Sequence, residues 1–285
     1  MMINFQKVTK AYRRTTALDD IDLQIIENKI YCLLGRNGAG KTTLLKLIAG
    51  HINATGGNVL VGNKKVSTIN MPGCVNFIES RATQFNITVS EIIKLAGTLQ
   101  DDFDTEFAMK MVKKFRLDKN KKYKQLSFGM QTMLTTLLSL SSNTDIVLLD
   151  EPVLGFDAIM RERFYDLLQT SFEHHPRIII VSTHLIDEIA RVAEDIIILD
   201  EGNILLTSSI NDIDEKAYSL TGQTNVIKTA VKGLNVISEN TLGGFTTAYI
   251  FGEKADFPET VKVSPMRLQE FFINIVGGEN DEYES

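Results

Sequence analysis

The stretch "LLGRNGAGKTTLL" constrains this chain more than any other. It sets four residues between Gly35 and the run Gly40, Lys41 and Thr42, directly after the apolar run "IYCLL" and directly before the helical run "TTLLKLIAG". Strand, glycine turn and helix form the context in which the spacing G-x-x-x-x-G-K-[ST] makes a phosphate cradle. The glycines let backbone N–H groups turn inward around phosphate oxygens, and the helix N-terminus adds partial positive charge. Gly35, Arg36, Asn37, Gly38, Ala39, Gly40, Lys41, Thr42 and Thr43 are therefore the candidate nucleotide-binding run. Lys41 is expected to reach the β- and γ-phosphates, and the Thr42 hydroxyl to ligate Mg²⁺.

Further along, "DIVLLDEP" runs four apolar residues into Asp150 and Glu151. A buried strand that ends in two carboxylates is costly unless those charges meet a cation or donors. Asp150 fits the strand-end aspartate that holds Mg²⁺ through water. Glu151 is the candidate general base, or the group that orients the attacking water. "IIIVSTHL" ends another strand at His184, which shares that edge and is the candidate γ-phosphate contact. Strands "DIVLLD", "RIIIVST" and "DIIILD" alternate with helical runs, which predicts an α/β core around a mostly parallel sheet.

The bulk numbers exclude several classes. The 285 residues are 44% hydrophobic and 23% charged, ordinary for a globular chain with a sizeable core. A net charge of -6 gives no support to nucleic acid as a partner. Neither of the two cysteines, Cys32 and Cys74, stands in a metal-ligand spacing. No apolar run reaches the length of a membrane span, and "MMINFQKVTKAYRR" lacks the apolar core of a secretory signal. The expected location is cytoplasmic, with any membrane role coming through a partner.

"KQLSFGMQTMLTTLLSL" follows the basic run "KNKKYK". Met130, Met133, Leu134, Leu137 and Leu138 form a helical stripe, so a helix starts near Ser127. Ser127 at its cap and the N–H of Gly129 suit an anion at the helix N-terminus. A plain cap would satisfy the same local geometry. Tyr12, on the turn between the first two strands, can stack on adenine or simply pack.

Taken together, "GRNGAGKT", "LSFGM", "VLLDEP", "LGFD" and "STH" resemble the nucleotide-binding subunit of an ABC transporter, in family order over about residues 3 to 212. The resemblance implies a P-loop NTPase core, an N-terminal antiparallel β subdomain and a helical signature subdomain at about 85–140. It implies ATP and Mg²⁺ as cofactors. It also implies a homodimer, or a heterodimer with another such ATPase, in which Ser127, Phe128, Gly129 and Met130 of one chain face the other chain's ATP. An integral membrane permease completes the set, and the location becomes the inner face of the cell membrane. The usual "LSGGQ" is changed here at Phe128 and Met130. Where a glutamine normally stands before "NITVSEII", counting back gives Glu79 as the third candidate metal ligand, with Gln84 as a fallback. The "LS-x-GM" form and the C-terminal extension resemble bacterial exporter ATPases for drugs or for antimicrobial and cytolytic peptides. Non-transport ATPases of the same fold, and a regulator that binds ATP without turnover, are the other expectations. Residues 213–285 are expected to form a small α+β unit with one closing helix.

Overall fold

The computed structural model describes residues 1–79 and 86–277; Gln84 lies outside them. In chain order the elements are β1 Ile3–Tyr12, β2 Thr15–Ile25, β3 Ile30–Leu34, α1 Lys41–Ile48, β4 Gly56–Val61, β5 Lys64–Lys65 and β6 Val75–Glu79. Then come α2 Val89–Leu99, α3 Thr105–Lys114, α4 Phe128–Leu140, β7 Ile146–Asp150, α5 Ala158–His174, β8 Ile178–Ser182 and α6 Ile186–Ile189. The chain continues through β9 Asp195–Asp200, β10 Asn203–Ser209, α7 Ile210–Lys216, β11 Ala217–Gln223, α8 Thr224–Ala230, β12 Val236–Leu242, β13 Phe245–Phe251, β14 Lys262–Pro265 and α9 Leu268–Gly277.

The central sheet has the order β10-β9-β3-β8-β7-β6. Every neighbour pair from β9 to β6 is parallel, and only β10 runs antiparallel. Period-two alternation decides which side each residue takes. Cys32, Leu34, Val147, Leu149, Ile179, Val181, Ile196 and Ile198 enter the core beneath the helices. Their neighbours Tyr31, Leu33, Ile146, Leu148, Ile178, Ile180, Ile197 and Leu199 enter a second core, shared with α1 and the N-terminal strands. Both faces are therefore buried, which is why these strands read as unbroken apolar runs.

Around this core, β2-β1-β4-β5 form an antiparallel sheet. Tyr12 ends β1 rather than lying on the turn, because its backbone pairs with Thr15. Helices α2, α3 and α4 are each started by a side chain. Thr88 and Glu91 form a capping box, Asp104 accepts from Phe107 N–H at 2.7 Å, and Ser127 accepts from Met130 N–H at 3.3 Å. Helix α6 covers only four residues of the expected "LIDEIARVAE". Beyond Ile189 the backbone tightens to three-residue turns at Arg191 and Val192, and Glu194 N–H then donates to the Ile30 carbonyl of the sheet.

A third sheet, ordered β12-β13-β11-β14, is formed by residues 217–265. One of its faces packs with α8 in a small core of Tyr218, Leu220, Ile227, Ala248, Ile250 and Val261. The other face joins the main core through Ala217, Met266, Leu268 and Phe271. Helix α8 therefore adds to the single closing helix expected, since "TNVIKTA" forms a helix rather than continuing as strand. Among the described residues no helix is long and apolar enough to cross a membrane.

Candidate active site

Parallel pairing puts the carboxyl ends of β3, β7 and β8 on one edge of the central sheet, the edge where such folds bind ligands. The glycine loop leaves β3 there and enters α1 at Lys41. Gly40 has φ 109° and Gly38 φ 88°, values that favour glycine. At Gly35 the carbonyl oxygen of Leu199 occupies the space a Cβ would need, so a larger residue would push the loop off the sheet.

Lys41 is buried, and its Nζ donates to the carbonyls of Gly35 at 2.7 Å and Arg36 at 3.1 Å. Its ammonium bridges the loop it is expected to serve. Burial pulls its pKa below the usual lysine value, while Glu151 and Asp150 push the other way. Thr42 donates its hydroxyl to Asp150 Oδ2 at 2.7 Å, and Ser182 donates to Asp150 Oδ1 at 2.6 Å. The hydroxyl of Thr42 and the carboxylate of Asp150 are hard oxygen donors side by side, a set that suits Mg²⁺ bound together with phosphate and water.

Glu151 follows with φ 47°, a left-handed backbone that swings its side chain out of the strand direction. Its N–H lies 3.1 Å from the Ser182 carbonyl and 3.0 Å from Ser182 Oγ. Its carboxylate meets His184 Nδ1 at 2.9 Å. The two candidate catalytic groups thus touch each other. A cleft of about 230 Å³ opens beside them, lined by Asn37, Gly38, Gly40, Lys41, Thr42, Thr43, Asp150 and Glu151.

Other expected residues are not among those that line the cleft. Tyr12 is not part of its lining; the ring is 44% exposed, with Lys10 Nζ 4.8 Å from its centroid. Glu79 lies opposite Asp150 in the parallel register, and its Oε1 is 2.5 Å from Lys46 Nζ. Ser127 and Phe128 are exposed at the N-terminus of α4, with Gly129 and Met130 half-buried behind them. A Cβ on Gly155 of "LGFD", which has φ 78°, would come within 3.3 Å of the Phe128 ring. Ser182 and Lys46 were missed by motif reading. Ser182 stands in the "STH" triplet beside His184, whereas nothing local marks Lys46.

A parallel sheet with a glycine loop, a buried lysine and a hydroxyl–carboxylate pair at one edge defines a P-loop NTPase. Comparison with known proteins narrows the class. The family described as ABC transporter matches residues 18–154. The chain is 26% identical to the ABC transporter ATP-binding protein YtrB of Bacillus subtilis, over 97% of this chain and 99% of that protein. It is 31% identical to MJ1023 of Methanocaldococcus jannaschii, an uncharacterized ABC transporter ATP-binding protein, over 75% of this chain and 80% of the relative. Identity to the lantibiotic transport ATP-binding protein SrtF of Streptococcus pyogenes is 28%, over 72% of this chain and 90% of the relative. Among solved structures, the dimeric bacterial ABC transporter cassette MJ0796 superposes with a TM-score of 0.62 at 25% identity, over 73% of this chain and 98% of that one. The chain belongs to the ATP-binding, ATP-hydrolysing proteins of the ABC transporter family.

Proposed function

We propose that this chain is the ATPase subunit of an exporter for drugs or for antimicrobial or cytolytic peptides, acting as a dimer beneath a separate membrane permease. The observation that carries the reading is the joint placement of two helix ends. One holds the glycine loop with buried Lys41, and the other presents Ser127 outward with Gly129 half-buried behind it, where its own cleft does not use them. A triphosphate held by the first of these on one chain and the second on another joins two chains.

In this reading the backbone N–H groups from Gly38 to Thr43 hold the phosphates, and Lys41 neutralises the β- and γ-phosphate charge. Thr42 and Asp150 would hold Mg²⁺, which would supply charge neutralisation for the phosphates. Glu151 takes a proton from, or aligns, the attacking water. His184, at 2.9 Å, holds the Glu151 carboxylate and stands ready for the γ-phosphate. Tyr12 offers the face of its ring to adenine.

Export is supported by the "LS-x-GM" form of the signature and by the likeness to a lantibiotic transport ATPase. A permease partner is supported by an apolar groove of about 350 Å³ between β6, α2 and α4, walled by Ile78, Leu95, Leu99, Phe103 and Leu138. Its apolar walls suit the apolar face of a short amphipathic helix. Purification of the tagged chain from detergent-solubilised membranes tests the reading. Recovery with a polytopic partner is expected, and recovery of the chain alone, with full ATPase activity and no membrane fraction, would refute it.

A further inference from the structure

Glu79 brings a third carboxylate to a place that already holds Asp150 and Glu151. Its strand pairs with β7 so that Glu79 faces Asp150 across one inter-strand step, about 4.8 Å between backbones. Asp150 is engaged by the hydroxyls of Thr42 and Ser182, and Glu151 by His184. Glu79 meets Lys46, whose Nζ is 2.5 Å away. The two side chains are 26% and 29% exposed, so solvent screens this pair less than it screens a surface bridge. Lys46 projects from α1, the helix whose first residues are Lys41 and Thr42. The pair therefore ties the phosphate-loop helix to the strand beside the candidate metal aspartate.

We propose that Lys46 is a positioning residue that neutralises Glu79 and so sets the charge facing the metal and phosphate end of the cleft. The proposal rests on the nucleotide-site reading above. Without Lys46, Glu79 adds a full negative charge beside Asp150. Metal-free ATP is then repelled, whereas ATP carrying Mg²⁺ is repelled much less because its cation offsets the carboxylate. Without Glu79 the sign reverses, for Lys46 is left as an uncompensated cation that favours metal-free ATP.

The test is the ratio of the Kd of a fluorescent ATP analogue in EDTA to its Kd in Mg²⁺, with folding checked by circular dichroism. One uncompensated unit charge roughly 5 Å from the phosphates, in a medium close to water, corresponds to a rise of roughly fivefold, the size expected for Lys46→Met. Lys46→Arg keeps the wild-type ratio, Glu79→Gln lowers it, and the charge-neutral double variant Lys46→Met/Glu79→Gln restores it. A purely structural role for the pair produces neither the opposite signs nor the rescue. Equal ratios in all variants that bind the analogue, or an undiminished rise in the double variant, overturn the role of Lys46 alone. If Lys46→Met does not fold, the lowered ratio in Glu79→Gln decides, and an unchanged ratio there overturns the role. Absence of binding by the wild-type protein in either buffer overturns the nucleotide-site reading and this inference with it.

Discussion

At the scale of single residues, the site is built by burial and by short donor–acceptor contacts. Lys41 is held by two carbonyls of its own loop and lies at the cleft floor, so Lys41→Ala is expected to lower nucleotide affinity by at least about tenfold. Equilibrium binding of a fluorescent ATP analogue reads this, and unchanged affinity would refute the loop assignment. Ser182→Ala removes a buried hydroxyl that donates to Asp150 and leaves one carboxylate oxygen poorer. A loss of about 1–2 kcal/mol in urea unfolding is expected. Lys41, Thr42, Asp150 and Glu151 were legible in the chain because each lies in a contiguous motif whose strand and helix can be read from neighbouring residues. Lys46 and Glu79 were not legible as a pair. They are 33 positions apart, and only the β6–β7 register and the direction of α1 bring their side chains together.

At the scale of elements, helix ends decide the stability of the α2–α4 region. Asp104 caps α3 and also meets His174 Nε2 at 2.9 Å from the end of α5, where the His174 ring stacks on Phe107. The Phe107 N–H holds the Asp104 carboxyl below its ordinary pKa, with a smaller contribution from His174. A carboxylate with a depressed native pKa stabilises the fold above its unfolded pKa, and that contribution fades as pH falls through the native value. The Tm difference between wild type and Asp104→Ala is therefore expected to be present near neutral pH and to shrink as the pH falls below the ordinary aspartate range.

Arg177, 1% exposed, closes the other end of α4 by donating to the carbonyls of Leu140 and Ser142 and to Ser171 Oγ. Burial pushes its guanidinium pKa down to about 10, and its Nε has no partner among the described residues. Arg177→Met takes the guanidinium donor from the Ser142 carbonyl and leaves the Leu140 carbonyl with Ser171 Oγ, which costs about 1–3 kcal/mol and is measurable by thermal or urea unfolding. Elements with strong periodicity were readable in the sequence, as the stripe of α4 shows. Strand β6 was not, because "VNFIE" is short and alternates in neither charge nor apolarity. Helix α8 was hidden by the β-branched residues of "TNVIKTA", which read as strand until packing against β11 settles the matter.

For the whole molecule, the proposed pairing of chains makes a direct prediction. Glu151→Gln keeps the shape of the side chain but removes the carboxylate proposed to act on water, so ATP is expected to be bound and not consumed. Gel filtration in ATP is expected to shift this variant to a dimer, and a monomer at saturating ATP would count against the sandwich. The order of motifs along the chain makes such an assembly readable, while the C-terminal sheet offers no motif, and its joining to the main core emerges only from packing.

That joining has a mechanical result. Helix α9 packs against α6, which begins two residues after His184, and Phe271 is fully buried in the same core as Ile186 and Ile189. The tail of the chain thus acts as a splint behind the histidine, so shortening the protein before Leu268 strips the backing from a catalytic-edge segment. What looks like a dispensable appendage is part of the frame against which the segment carrying His184 is braced.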